Sequence, residues 1–485
     1  MTIKDLNPKI VWNNFYALTQ IPRPSKHEEQ VIEYLYNWGK SHNIETIKDK
    51  TGNIIMRKPA TPGYENRRGV ILQGHVDMVP QKTADTVHDF LKDPIQTEIY
   101  GEWVGAKGTT LGADDGMGVA FALSVLEDDS LKHGPVEALF TYDEETGMTG
   151  ADMLKPKMLN GDILINIDSE EDGELCIGCA GGLDAVADFK YVTHRVPDGY
   201  TGYKIIVKGL QGGHSGMDIS LYRGNANKIL ARVVEPLMEK YEAKLGDIRG
   251  GTLRNAIPFE GEATVFVPTA KTREVKHLVG VIFDEVKAEF QHSDPGMVLS
   301  LEKLRPYPAR YIHESVALRA IRAIRACPNG VIRMSDSMAG LTETSTNLAI
   351  VGCADGHLTV QSLMRSAVDS AKTDLAGQMR DLFELAGAEF TTFGAYNGWT
   401  PKPETPVYKL VCDTWKEVTG KDMKITATHG GLECALLGAK YPDWEMVSIG
   451  PDIVHPHSPD ERVRIASVGN MWKFLVRLLE VIPAK

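Results

Sequence analysis

No stretch of this chain approaches the roughly 20 consecutive apolar residues that a membrane span requires, so the sequence predicts no transmembrane helix. Runs of Lys and Arg are missing too. With a formal net charge of -12, that lack argues against nucleic acid and against an anionic membrane as partners. The segment from Met1 to Leu18 mixes Lys4, Asp5, Lys9 and Asn13 with its apolar residues, unlike the basic start and apolar run of a signal peptide. Cysteine is sparse: six residues, at 176, 179, 327, 353, 412 and 434, form no dense disulfide framework, and a reducing cytoplasm is the expected compartment. Cys176 and Cys179 make a CxxC without the second pair of a zinc ribbon or the helix start of a redox site. They are expected as two small residues in a strand-like stretch before Gly181-Gly182.

What is present is a soluble globular composition, 42% hydrophobic and 24% charged, over 485 residues, too many for one ordinary core. Helical periodicity runs from Pro8 to Ile21, with Asn7 placed to cap it, and again from His27 to Lys40. Short apolar runs at Gly69 to Leu72, Val136 to Thr141 and Ile163 to Ile167 predict buried strands, with a helix over Met117 to Leu126. The same α/β texture returns late: a helix over Val407 to Val418, a strand over Met446 to Ile449, a helix over Val468 to Val481. Between them lies a different pattern. Tyr203 to Leu210, Arg223 to Leu237, Gly251 to Ala256, Glu262 to Val267, Val275 to Phe290 and Met297 to Leu301 alternate as strand, helix, strand, strand, helix, strand. A second, partial copy follows in His313 to Ala326, Thr344 to Val351, Leu358 to Ser366 and Ser370 to Leu385. The expected organisation is an α/β domain built from segments 1–185 and 396–485, interrupted by an α+β insertion of two related halves over 186–395.

Acidic residues and histidines gather beside these elements. His75-Val76-Asp77 follows a predicted strand, and two residues apart on an extended segment the side chains share a face. An Asp accepting the second ring N–H would fix a metal-binding imidazole, although an HxD alone is more often an ordinary core or surface pair. Gly112-Ala113-Asp114-Asp115-Gly116 runs into a helix, but two aspartates there would repel phosphate, so a carboxylate site or a helix cap is expected. Asp143-Glu144-Glu145 sits at a strand end, where adjacent acids are costly unless solvated or bound to cations. One glutamate there could ligate a metal while its neighbour moves a proton; an exposed acidic turn is the plainer alternative. Asp168 ends another apolar strand, and Asp452 to Glu461, with His455 and His457, follows the strand over Met446 to Ile449. Carboxylates and imidazoles without thiolates suit paired zinc, cobalt or manganese better than a structural zinc.

In order, HxD, GADDG, EE, an Asp after a strand and His457-Ser458-Pro459-Asp460-Glu461 resemble the co-catalytic zinc peptidases, a family of carboxypeptidases, aminoacylases and dipeptidases. Longer segments resemble its aminoacyl-histidine dipeptidase branch: Gln73 to Lys82, Asp85 to Ile95, Gly251 to Pro258 and Gly431 to Cys434. The resemblance implies a zinc-peptidase-like catalytic domain with a mixed central sheet flanked by helices, plus an inserted lid. It implies two divalent metal ions per chain, zinc first, with cobalt or manganese as alternatives. His75 and Asp168 would hold one, Glu145 and His457 the other, with Asp114 bridging and Asp77 behind His75. Glu144 would be the general base that deprotonates the bridging water, and the bond Asp114-Asp115 would be cis. His214, in Gly212-Gly213-His214-Ser215-Gly216, would stabilise the oxyanion, while Asn255, Arg365, Gly430 and Gly431 would contact substrate, Arg365 at its carboxylate.

The implied activity is hydrolysis of dipeptides, preferentially Xaa-His of the β-alanyl-histidine kind. The alternative is an N-acyl amino acid hydrolase or a broader peptidase with the same centre. His455 competes with His457 as ligand, and the Ser-Pro after His457 favours the latter. An insertion of about 210 residues is long enough for His214 to act within its own chain, so a homodimer stays open.

Overall fold

The computed structural model describes residues 2–305 and 309–485. It divides into two compact units, one of residues 1–178, 401–427 and 432–485, the other of residues 179–400 and 428–431.

The first unit is built on an eight-stranded sheet in the order Glu45–Lys48, Ile54–Lys58, Val136–Thr141, Val70–His75, Ile163–Asn166, Glu445–Ser448, Glu174–Cys179, Lys424–Thr428. Val136–Thr141, Val70–His75, Ile163–Asn166 and Glu445–Ser448 run parallel, and antiparallel strands flank them, so the sheet is mixed. The first three are buried at every position, which is why they appear as unbroken apolar runs instead of alternating ones. The carboxyl ends of parallel strands form the crevice edge of such a sheet. Helix Ala113–Glu127 is buried along almost its whole length, and its sequence is accordingly apolar all round. A four-stranded sheet of Ile453–Val454, Arg462–Arg464, Trp103–Ala106 and Thr97–Tyr100 anchors both ends of the loop that carries His455 and His457. The CxxC cysteines lie in strand Glu174–Cys179, as expected.

In the second unit the internal copy is complete, with its parts nested. One half runs Tyr200–Lys208, helix Ala226–Tyr241, Lys244–Gly250, Gly261–Pro268, helix Thr272–Glu289, Val298–Lys303. The other runs Gly181–Lys190, helix Glu314–Ala326, Thr342–Ala354, His357–Ser366, helix Asp369–Leu385, Glu389–Tyr396, so the first half is inserted after its opening strand. Each half has the sheet order fourth, first, third, second, with all pairs antiparallel, the split βαβ arrangement. The halves join where Gly250 pairs with Val351, and one apolar core serves both.

The expected strand at Gly251 to Ala256 is a correction. The strand is Lys244–Gly250, and residues 251–260 form a loop. Gly251 takes φ 74°, and a Cβ there would lie 1.9 Å from the Ala349 carbonyl oxygen, so the chain turns where only glycine fits. In Lys244–Gly250 two glycines and three charged residues hide the alternation of a strand.

Candidate metal centre and substrate residues

The parallel strands deliver their acids to one edge of the sheet. His75 is the last residue of its strand, and Glu144, Glu145 and Asp168 follow the strands on either side of it. Asp114 opens helix Ala113–Glu127 with φ -80° and ψ 111°, and its peptide bond to Asp115 is cis, the geometry the resemblance implies.

Asp114 lies between the two imidazoles. Its Oδ1 is 3.0 Å from His75 Nε2, and its Oδ2 is 3.1 Å from His457 Nε2. On one side Asp168 Oδ1 lies 3.4 Å from His75 Nε2; on the other Glu145 Oε2 lies 2.9 Å from His457 Nε2. Ligand atoms of His75, Asp114 and Glu145 all fall within 4.8 Å of one another. Glu144 Oε2 stands 3.9 Å from His75 Nε2. His455 is exposed and lines a surface cavity with Tyr100, Trp103 and Arg462, away from these contacts.

Behind His75, Asp77 Oδ1 lies 3.3 Å from its Nδ1, and Asp77 accepts the backbone amides of Glu144 and Glu145 at 3.0 and 3.2 Å. Glu28 and Asp143 lie against Asp77, and burial pushes the Glu28 carboxyl up to about 7.

Three supporting residues carried no assigned role in the sequence. Glu461 accepts the amides of Leu111, Gly112, Ala113 and Asp114, neutralising the unpaired donors of that turn. Buried Arg23 donates to the carbonyls of Val76, Asp77 and Gly112, tying the segment after His75 to the one before Asp114. Glu433, fully buried, accepts Gln73 Nε2 and Thr141 Oγ1, each at 2.6 Å. Its signals in the sequence are an acid opening the apolar run Glu433-Cys434-Ala435-Leu436-Leu437 and its place in the segment Gly431 to Cys434. Asp115 is a cap, as the plainer reading had it: it accepts Gly118 N at 3.0 Å and His75 N at 3.2 Å.

The electrostatics favour a cation. Burial works to raise the Asp114 carboxyl, yet the hydrogen bonds from His457 and His75 outweigh it and hold that carboxyl below its ordinary value. The same bonds to Asp114 and Glu145 push His457 up to about 11. Burial raises Glu145 to about 7 and Asp168 to about 6, and it raises Glu144 well above a usual carboxyl. One Glu145 oxygen, Oε1, is buried with no hydrogen-bond partner. Neutral imidazoles and ionised carboxylates around a divalent ion satisfy this donor set better than imidazolium does. Oxygen and nitrogen donors without sulfur fit zinc, cobalt or manganese.

The second unit gathers the other candidates. Arg365, buried in strand His357–Ser366, donates to Ser215 Oγ at 3.3 Å and Tyr396 OH at 3.2 Å. It is thus held, unlike an ordinary strand arginine at a surface. The amide of His214 donates to Asp218, and the loop bridges to Ala256, next to exposed Asn255, whose carbonyl accepts Ser215 N. Gly430 accepts the amide of Ala180, and Gly431 follows it. His429, missed in the sequence, pairs with Ser345 Oγ at 2.7 Å; burial and the nearby Arg365 cation push it down to about 4, so its ring is neutral.

Known proteins show the same arrangement of sequence and fold. A cytosol non-specific dipeptidase of Escherichia coli strain K12 is 47% identical over 483 residues, covering 100% of this chain and 99% of that protein. The crystal structure of an aminoacylhistidine dipeptidase from Vibrio alginolyticus matches with a TM-score of 0.92 and 43% identity, over 100% of this chain and 99% of that one. An aminopeptidase PepT from Bacillus cereus, at 16% identity, a TM-score of 0.57 and 98% coverage of both chains, shows the fold alone. Among the described residues no helix is long and apolar enough to cross a membrane. With a family model matching residues 71–481, the chain belongs to peptidase family M20/M25/M40.

Proposed function

We propose that this chain hydrolyses unblocked dipeptides, Xaa-His among them, in the cytoplasm, at a centre of two divalent metal ions, zinc first. The observation that carries the reading is the position of Asp114, with one carboxylate oxygen toward His75 and the other toward His457. That geometry suits a bridging ligand, with Asp168 completing the set of His75 and Glu145 that of His457. The dipeptidase names of two full-length relatives support the substrate class.

A pair of divalent cations held there would supply Lewis acidity to the scissile carbonyl and to the attacking water. Glu144 takes the proton from that water and passes it to the leaving amine; its burial raises its proton affinity in the direction a base near neutral pH needs. Asp77 fixes the ring of His75 and, through two backbone amides, the start of the Glu144-Glu145 turn. Arg365 recognises the free carboxylate with its guanidinium, His214 stabilises the oxyanion, and Asn255, Gly430 and Gly431 contact the substrate.

The test is chelation followed by readdition of zinc, cobalt or manganese, with activity read on dipeptides and on N-acetyl amino acids. Dipeptide cleavage lost with the metal and regained with it is expected. Activity persisting in metal-free protein refutes the centre, and faster turnover of N-acetyl amino acids than of dipeptides establishes the N-acyl hydrolase instead.

A further inference from the structure

In the sheet of the second unit, Arg365 of strand His357–Ser366 stands opposite Gly182 of Gly181–Lys190, and Gly182 stands opposite Tyr396 of Glu389–Tyr396. Residues directly opposite one another share a face of the sheet. Tyr396 comes to that face through a β-bulge: an extra residue enters its strand between Phe393 and Tyr396, where Gly394 takes φ 61°. In unbroken register Tyr396 would stand opposite Gly181, and its side chain would turn to the other face. Gly182 leaves the middle of the row open, and the phenol fills it. A Cβ there would lie 2.4 Å from Tyr396 Cε1 and 2.9 Å from its hydroxyl oxygen. The ring thus crosses one strand to meet the guanidinium on the next. Its backbone is fastened too, with Lys372 donating to the Tyr396 carbonyl and Asp369 accepting Gly398 N at 3.0 Å and Asn397 Nδ2 at 2.7 Å.

The direction of the bond between the two side chains is fixed by their chemistry. A guanidinium can only donate, so at 3.2 Å Arg365 Nη1 donates to the Tyr396 oxygen, and the phenolic O–H keeps its own proton for another partner. Among the described residues no acceptor takes that proton, and Arg365, whose Nε donates to Ser215 Oγ, has none at Nη2. Arg365 is only 5% exposed and, among the described residues, has no ion pair; Asp184, two residues along the same face from Gly182, pairs with Arg254 at 3.3 Å. A buried cation with a neutral O–H donor held beside it is completed by an anion that offers two oxygens.

We propose that Tyr396 donates its phenolic hydrogen to the same substrate carboxylate that Arg365 binds, as the second arm of a clamp that selects a free C-terminus one residue beyond the scissile bond. The inference rests on the dipeptidase reading above. A hydrogen bond to a charged group is worth about 10-fold or more in kcat/KM.

The test compares alanyl-histidine with alanyl-histidine-amide, which lacks only the charged carboxylate. Tyr396→Phe keeps the ring over Gly182 and removes the O–H. It should lower cleavage of alanyl-histidine more than that of the amide, narrowing the wild-type preference by about 10-fold, chiefly through KM. In an Arg365→Ala background the same substitution should narrow the remaining preference further, since the phenol touches the carboxylate itself. An unchanged preference in Tyr396→Phe, or equal losses on the two substrates, overturns the proposal. No further narrowing in the Arg365→Ala background also overturns it, because Tyr396 would then act only by holding Arg365. Equal wild-type rates on the two substrates overturn the dipeptidase reading itself.

Discussion

The backbone amide of Glu144 donates to Asp77 Oδ1 at 3.0 Å. The carboxylate that faces the ring of His75 therefore also positions the residue proposed as base. Asp77→Ala should weaken metal binding by about 10- to 100-fold, and it should lower kcat even when excess metal restores occupancy. Metal titration followed by saturating-metal kinetics checks both parts; normal kcat at full occupancy would confine Asp77 to the metal.

Adjacent glutamates with different neighbours should behave differently. Glu145 faces His457 at 2.9 Å, whereas Glu144 stands 3.9 Å from His75 Nε2. Glu144→Ala should keep its metal content and lose about 10²- to 10⁴-fold in turnover. Glu145→Ala should lose metal. The reverse pattern by elemental analysis means the two roles are exchanged.

Metal removal should destabilise the protein increasingly as pH rises. Burial raises Asp168 to about 6 and Glu145 to about 7, both above their unfolded values of 3.8 and 4.5. Between those limits the folded metal-free protein binds more protons than the unfolded chain, so its stability falls as pH rises through that window. Metal-loaded protein escapes this fall, because its ligands are ionised and paired. The difference in Tm between metal-loaded and chelated protein should be larger at pH 8 than at pH 5. A difference independent of pH would contradict the assignment of these carboxylates as ligands.

Arg365 is held by Ser215 and Tyr396, and a free substrate carboxylate is its proposed partner. Xaa-His should be cleaved about 100-fold more efficiently than Xaa-His-amide or Xaa-His-Gly, and Arg365→Ala should reduce that margin. Arg365→Lys should restore little of it, since an ammonium lacks the two-pronged geometry. Equal wild-type rates on the three peptides would indicate a broader peptidase.

His214→Ala should lower kcat by about 10²- to 10³-fold with little change in KM, as expected of a donor that acts in the transition state. Steady-state kinetics on a single dipeptide suffice. Normal turnover removes His214 from the mechanism.

Much of the centre was legible before folding because ligand type and distance from a strand end are local properties. His75, Glu144, Glu145 and Asp168 each sit at or just after an apolar run, and buried parallel strands must end in a common crevice. The CxxC was legible in the same way, as small apolar residues of a strand. Long-range relations were not. Nothing near Arg23 in the chain announces that it will tie the carbonyls of Val76, Asp77 and Gly112, and nothing near Glu461 announces a cap for a helix start about 350 residues away.

The sequence by itself thus determined the chemistry available: oxygen and nitrogen donors, two adjacent glutamates at a strand end, and an α/β frame with an α+β insertion. Only the tertiary structure decided which histidine of His455-Pro456-His457 meets Asp114, 343 residues away, and which Asp114 oxygen faces each ring. It also decided that the two halves of the insertion are nested, with Gly181–Lys190 serving the later half. The physical reason is the same in each case. Propensity and burial pattern act over a few neighbouring residues, whereas side-chain direction at a shared sheet edge, and the pairing of strands far apart in sequence, are fixed only when the sheet closes.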